Sequence, residues 1–257
     1  MTLSDKIIEQ ERYNISSQKR NSINLGNELA KLGAENFSDY LKPPYLYYHR
    51  LISNEATKNT ALNHLDLCCG DGIHSLTSAK LGANVVGIDY AENSINLAKE
   101  RAKFHNLNVD FRSGDVESLP FSDSTFDIIT CAGSMSYVDH EIFLNHVFRL
   151  LKDDGVFICV DSFNHNIFYR INRFIHFVKG ERTYSTLKRM PNTELLEKIN
   201  KRFKRLDVQY FGIFIFLAPF FRIFMNEKKL TELMNTLDRT FWLFKKYSFK
   251  VVIKAKK

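Results

Sequence analysis

Residues 64 to 72, His-Leu-Asp-Leu-Cys-Cys-Gly-Asp-Gly, read as a buried strand that ends on a carboxylate and spills into a tight glycine turn opening a helix. A strand followed by such a turn and helix calls for a parallel neighbour, which only a crossover connection can supply. The downstream pattern fits. Strand-like stretches near 64–69, 84–89, 108–113, 126–131 and 155–162 alternate with helical stretches near 73–81, 91–105 and 140–151. This rhythm predicts an α/β fold with a parallel, helix-covered sheet. Ligands of such sheets sit beyond the carboxyl ends of the strands, so the glycine turn marks the expected site.

The chain has 257 residues, 44% of them hydrophobic, with 22 Phe, enough to bury a large core and to exclude a disordered class. Residues 1–60 are read as an N-terminal helical lid or arm, with an aromatic patch at Tyr40, Tyr45, Tyr47 and Tyr48 around Pro43-Pro44. Residues 61–163 form the expected ligand-binding core. Residues 164–191 break the alternation with aromatic and basic side chains and are read as an insertion. Residues 192–257 complete the sheet: a helix capped by Asn192 with Leu195, Ile199, Phe203 and Leu206 on one face, a strand over 208–217, a helix over 227–241 and a last strand over 249–255.

Charge is unevenly spread. Residues 161–257 hold 21 Lys/Arg against 8 Asp/Glu, whereas residues 1–160 hold 15 against 21, so the formal +7 resides in the C-terminal part. Such a half attracts phosphate-bearing acceptors or anionic lipid, or is simply a solvated basic face; no RNA-binding signature accompanies it, which argues against nucleic acid. The four cysteines, 68, 69, 131 and 159, fall in predicted strands or strand ends without zinc spacing, which fits a reducing, cytoplasmic setting. The first residues lack a secretory signal pattern. The longest apolar run, 213–221, is about half of the roughly 20 residues a spanning helix needs, which leaves peripheral contact with the inner membrane face as the expected limit.

Gly70-Asp71-Gly72-Ile73-His74-Ser75 approaches a dinucleotide fingerprint but has Ser where the third glycine would be. Three carboxylates sharpen the reading. Asp66 ends the first strand, where it disfavours a pyrophosphate and can receive a cationic amino group. Asp89 ends the second, where an acid can accept from both ribose hydroxyls, and Asp115 follows the third, placed to accept from an adenine amine. S-adenosylmethionine has these three donor regions and no phosphate.

Asp-Leu-Cys-Cys-Gly-Asp-Gly, Gly-Ile-Asp-Tyr-Ala, Gly-Asp-Val-Glu-Ser-Leu-Pro-Phe and Phe126-Asp-Ile-Ile-Thr-Cys131 together resemble the successive motifs of class I adenosylmethionine-dependent methyltransferases, especially the quinone-methyltransferase branch. The likeness covers about residues 60–162. It implies a Rossmann-like, seven-stranded sheet with helices on both faces. It also implies that Asp66, Cys68, Gly70 and Gly72 line the methionine portion, Asp89 and Tyr90 the ribose, Asp115 and Val116 the adenine, and Cys131, Ala132, Gly133 and Ser134 the pocket floor. Cys68 departs from the family, which has glycine there. Tyr169-Arg-Ile-Asn-Arg173, Lys188-Arg-Met-Pro191 and Tyr247-Ser-Phe-Lys-Val-Val-Ile resemble methyltransferases of bacterial surface-polysaccharide assembly, which implies O-methylation of a sugar, nucleotide sugar or glycan precursor.

Methyl transfer to an alcohol needs alignment and removal of a proton. His140 and His165, after the fourth and fifth strands, are the candidate bases, and Tyr137 a candidate for orienting the acceptor. Asp139 can instead cap the next helix, which would leave His140 a solvated first-turn residue. Tyr169, Arg170, Arg173, Arg182 and Arg189 are candidate acceptor contacts, the arginines for a phosphate. Asp139, His140, Glu141 and Asp161 lack a ligand motif, so no metal is expected. Methylation of a quinone or other lipid is the rival reaction, and a non-catalytic module binding RNA or membrane the rival class. The sequence is silent on oligomeric state.

Overall fold

The computed structural model describes residues 3–20, 38–59 and 61–257. Its strands, β1 (Asn63–Leu67), β2 (Asn84–Asp89), β3 (Val109–Ser113), β4 (Phe126–Ala132), β5 (Leu151–Ser162), β6 (Arg205–Phe211) and β7 (Lys250–Lys256), form one sheet in the order β3-β2-β1-β4-β5-β7-β6. The first five run parallel; β7 lies antiparallel to both β5 and β6. The strand order reverses between β1 and β4, which opens a crevice above the carboxyl end of β1.

Alternation along the central strands divides the core. Ile129 and Cys131 of β4 and Phe157 and Cys159 of β5 face one side, where they meet Phe143 and Val147 of α5 (His140–Leu150) and Ile199 of α8 (Thr193–Arg202). Ile128, Ile158 and Val160 face the other, against Tyr48 and Ile52 of α2 (Pro43–Ala56). Strands buried on both faces carry continuous apolar runs, which is the pattern at 128–131 and 156–160. Between β2 and β3, α4 (Glu92–Phe104) packs Ile95, Ala98 and Ala102 on Phe111.

Several expected boundaries shift. The first crossover helix is only α3 (Leu76–Ala79), because residues 70–75 stay in turns, with Gly72 donating to the Cys69 carbonyl. The helix capped by Asn192 ends at Arg202, and Leu206, expected on its face, belongs to β6. The strand expected over 208–217 ends at Phe211. Gly212 has φ +75°, and its N–H and that of Ile213 turn to the Asp238 carboxylate, so the remaining apolar run becomes a 3-10 turn, Ile215–Leu217, and α9 (Ala218–Phe221). The insertion holds α6 (Ile167–Val178) and α7 (Tyr184–Lys188), and α10 (Glu227–Thr240) leads through a 3-10 turn, Trp242–Tyr247, to β7. Of the N-terminal arm, α1 (Leu3–Arg20) and α2 are helical, while residues 21–37 lie outside the described residues.

Candidate functional site

The glycine turn is assembled on buried hydrogen bonds. Asp66, 1% exposed, accepts from Ser75 Oγ at 2.5 Å and Thr130 Oγ1 at 2.7 Å. His64, two residues earlier on the same face of β1, joins the same Thr130 hydroxyl at 2.7 Å and Ser78 Oγ at 2.5 Å. Thr130 donates to the carboxylate, so His64 Nε2–H donates to Thr130. Burial pushes Asp66 up to about 6 and His64 down to about 3. Each oxygen of Asp66 thus accepts one hydroxyl beneath the turn, which ties β1 to β4 and to the start of the crossover and leaves one further lone pair on each.

Above this network the backbone is open. Cys68 adopts φ +54°, a left-handed conformation that favours glycine, and its thiol turns toward Cys131. Gly70 has φ +55°, and a Cβ built on it meets nothing within 4 Å. At Gly72, φ +76°, a Cβ would lie 2.6 Å from Phe111 and 2.8 Å from Ala98, so this glycine serves packing. Gly133, φ +69°, again faces open space, with its N–H on the Val160 carbonyl.

Asp89 clasps the turn: its carboxylate accepts from Gly70 N at 2.8 Å and from Ala91 N at 2.9 Å, which leaves one lone pair on each oxygen for further donors. Burial pushes its carboxyl up from the ordinary range. Asp115 accepts from Glu117 N at 2.9 Å and from Lys6 Nζ at 2.6 Å. Asp89, Asp115 and the two open glycines thus share the end of the sheet, since Gly114 N bonds to the Asp89 carbonyl. Two expected pocket residues do not line it: Val116 and Cys131 are 6% and 0% exposed and belong to the hydrophobic core.

Helix α1 covers this edge through polar contacts. Gln10 Nε2 donates to the Tyr90 carbonyl at 2.8 Å, and Asn14 Oδ1 accepts from Asn93 N at 3.2 Å. Arg12 donates to Glu9 at 2.8 Å and to the Tyr137 hydroxyl at 3.1 Å, and Arg182, from the insertion, donates to the same hydroxyl. Tyr13 stands edge-on to Tyr137 at 5.6 Å. Glu9 Oε1 is buried here with no partner among the described residues. Hydrophobic periodicity gives no signal for contacts of this kind, and of this group only Tyr137 and Arg182 are evident from the sequence.

The acceptor side lies beyond β4, β5 and β7. Asp161, 4% exposed, accepts from Met135 N at 2.8 Å and Ser162 N at 2.6 Å; burial pushes its carboxyl up, opposed by the nearby charges of Lys250 and Arg173. Lys250 is registered against Ser162 and sits 5.1 Å above the Tyr45 ring. Tyr45 stacks on His74 of the glycine turn, and His74 meets His49 at 3.0 Å, which meets Thr77 at 2.6 Å. Lys250, His49 and His74 are functional candidates the sequence reading missed. A histidine inside the glycine turn was the available signal for His74; nothing local marks Lys250, which gains its setting only from strand pairing.

The other expected residues separate. Tyr169 and Arg173 join this group, the guanidinium lying 5.8 Å over the Tyr169 ring with its Nε buried and unpartnered. Arg170, on the same helix, is exposed. Asp139 caps α5 through Glu141 N and Ile142 N, and Arg189 reaches that carboxylate at 3.4 Å. His140 is half-buried, not solvated. Its Nε2–H donates to the Met135 carbonyl at 2.9 Å, and burial lowers its pKa, so it presents Nδ1 as the basic nitrogen. His165 is corrected as a base: its Nε2 accepts from Thr193 N at 3.3 Å, at the start of α8. Among the described residues no cluster of three His, Cys, Asp or Glu has a metal-binding arrangement.

Residues 65–155 match the family model described as a methyltransferase domain. A demethylmenaquinone methyltransferase of Lactococcus lactis is 34% identical over 108 residues, 40% of this chain and 43% of its own length. One of Lactobacillus johnsonii is 27% identical over 161 residues, 60% and 62% of the two chains. The chain thus spans about half the length of these curated relatives. Among solved structures, the YcgJ protein of Bacillus subtilis has TM-score 0.55 at 20% identity, covering 82% of this chain and 98% of that one. A geranyl diphosphate methyltransferase with sinefungin has TM-score 0.56 at 15% identity, covering 82% and 77%. These likenesses establish the Rossmann-like, seven-stranded class I fold.

Proposed function

From a chain that carries a class I methyltransferase domain over residues 65–155, we propose a methyl transfer from S-adenosylmethionine to a small acceptor held between α1, the Met135–Tyr137 turn and the insertion. One observation carries the choice of ligand. The Gly70 N–H, which in a dinucleotide fold would face the pyrophosphate, is committed to the Asp89 carboxylate at 2.8 Å. Negative charge at that point repels phosphate and suits ribose hydroxyls.

The residues present fit the group: Gly70 and Gly133 leave backbone open to its approach, Asp89 has lone pairs for the ribose, and Asp115 for the adenine amine once Lys6 yields one oxygen. When bound, adenosylmethionine supplies a methyl carbon activated by a positive sulfur. The protein's own part is alignment and exclusion of water, which can be worth roughly 7–11 kcal/mol in such reactions. Helix α1 closes the cleft through Lys6, Gln10 and Arg12. His140 Nδ1 is the base we assign to an acceptor hydroxyl, because its other nitrogen is held by Met135. Lys250 and Arg173 would hold the resulting oxyanion, with Tyr45 and Tyr169 bounding it.

The acceptor class that fits best is a hydroxylated aromatic of the quinol type, since tyrosines and cations converge there and the relatives' names specify a menaquinone precursor. The reading of a phosphate-bearing sugar or glycan precursor rests on the unpartnered Arg173 Nε. Calorimetry with adenosylmethionine, adenosylhomocysteine and NAD tests the ligand; binding of NAD alone refutes the proposal. Incubation with isotope-labelled methyl donor and either demethylated quinols in detergent or nucleotide sugars, followed by mass spectrometry, identifies the acceptor, and label in the sugar fraction alone would overturn the quinol assignment.

A further inference from the structure

Helix α6 is amphipathic in an unusual sense: its apolar side faces outward. Ile167, Phe168, Ile171, Phe174 and Val178 are all at least half exposed. Phe168 stacks on Phe216 at 4.1 Å, and Phe214 then links Phe216 to Phe241 at 6.2 and 5.2 Å, so α6, the 3-10 turn after β6 and the turn before β7 share one aromatic surface. Ile223 and Phe224, after α9, are 76% and 70% exposed, and Trp242 and Leu243 58% and 72%. Isolated exposed apolar residues are ordinary, but rings joined across three separate segments mark an interaction site.

Its charge selects the partner. Residues 162–180, 208–226 and 239–257 contain no Asp or Glu, while Arg170, Lys179, Arg222, Lys245 and Lys246 are exposed among the apolar side chains. A symmetric contact with a second copy would set these cations against their own equivalents. No helix among the described residues is long and apolar enough to cross a bilayer. We propose that this face docks on the surface of an anionic phospholipid bilayer, with the aromatic and aliphatic side chains entering the headgroup boundary and the cations meeting lipid phosphates. The insertion that bears α6 also delivers Arg182 to Tyr137, so the docked face borders the acceptor side. The docking does not depend on which reaction the cleft performs.

The sequence contains one tryptophan, Trp242, and it lies on this face. Its emission should shift to the blue and be quenched by bromine-labelled lipid when the full chain meets vesicles of phosphatidylcholine mixed with phosphatidylglycerol. Vesicles of phosphatidylcholine alone should bind about tenfold more weakly. The double variants Ile171→Ser/Phe174→Ser and Lys179→Glu/Lys246→Glu should each weaken binding to mixed vesicles by about tenfold, with the circular dichroism spectrum and adenosylhomocysteine binding unchanged. Should a variant misfold, the lipid quenching of the unaltered chain decides alone. Emission that ignores mixed vesicles at low salt overturns the proposal, as does a blue shift that follows protein concentration without lipid, which would assign the face to a second copy.

Discussion

Lys6 Nζ lies 2.6 Å from Asp115 Oδ2 and 2.7 Å from Glu117. An ammonium from the covering helix therefore occupies the carboxylate to which the adenine amine is assigned. Both acids raise the Lys6 pKa against the burial that lowers it, so the lysine is charged at neutral pH. Lys6 and the ligand compete for one oxygen. Lys6→Met should tighten adenosylhomocysteine binding by about 1 kcal/mol, roughly fivefold, as for a partly exposed ion pair. Titration calorimetry of both chains would check it; weaker binding would make Lys6 a ligand contact.

Gly70 and Gly72 share a left-handed backbone but differ in what surrounds them. Gly70→Ala puts a methyl into open space, so its cost to the fold should be near the 1 kcal/mol of a strained φ, while the ligand's approach is blocked. Gly72→Ala drives a methyl against Phe111 and Ala98 and should cost about 2–4 kcal/mol. Thermal melts paired with ligand titrations should separate the two: a stable non-binder at 70 and an unstable chain at 72.

The pattern of the sheet was legible in the sequence because the strands near 84–89 and 126–131 concentrate apolar residues between turn residues, and Asn192 announced its helix by capping it. The end of β6 was not. The apolar run continues through Leu217, and only the tertiary bonds from Gly212 and Ile213 to Asp238 stop the strand. In the site, Asp89 and Asp115 stood out because acids at strand ends are visible locally. The hydroxyl partners of Asp66 were hidden, since Ser75 and Thr130 are 9 and 64 positions away. Helix α1 was readable as a lid but not as a ligand mimic, because its contacts are individual polar bonds.

Asp66 makes stability depend on pH with a defined sign. Its carboxyl is raised in the fold to about 6 from an ordinary 3.8. Its contribution is therefore fully present below the unfolded value and is lost as pH rises through 6. His64 acts oppositely: lowered to about 3, it favours the fold above its ordinary 6.5 and loses that contribution as pH falls. Asp66→Asn removes the first dependence alone. The variant should gain up to about 2–3 kcal/mol relative to the parent at pH 8 and about half of that at pH 5. Urea denaturation at the two pH values measures the difference; an equal change at both would contradict the burial cost.

Tyr137 joins the covering helix to the insertion, since Arg12 and Arg182 both donate to its hydroxyl while its ring meets Tyr13. Tyr137→Phe keeps the ring contact and removes the shared acceptor, so Arg12 and Arg182 each lose one hydrogen bond while Arg12 keeps its bond to Glu9 and Arg182 stays 3.9 Å from the same carboxylate. Hydrogen bonds to charged groups are worth about 1.5–3 kcal/mol, and part of this should be recovered from water. The helix would still cover the adenine side through Gln10 on the Tyr90 carbonyl. Ligand affinity should thus change less than twofold or so, while kcat/KM for the acceptor falls about tenfold, the equivalent of 1.4 kcal/mol. Steady-state kinetics beside calorimetry distinguish this from a general loosening, in which both quantities would fall together.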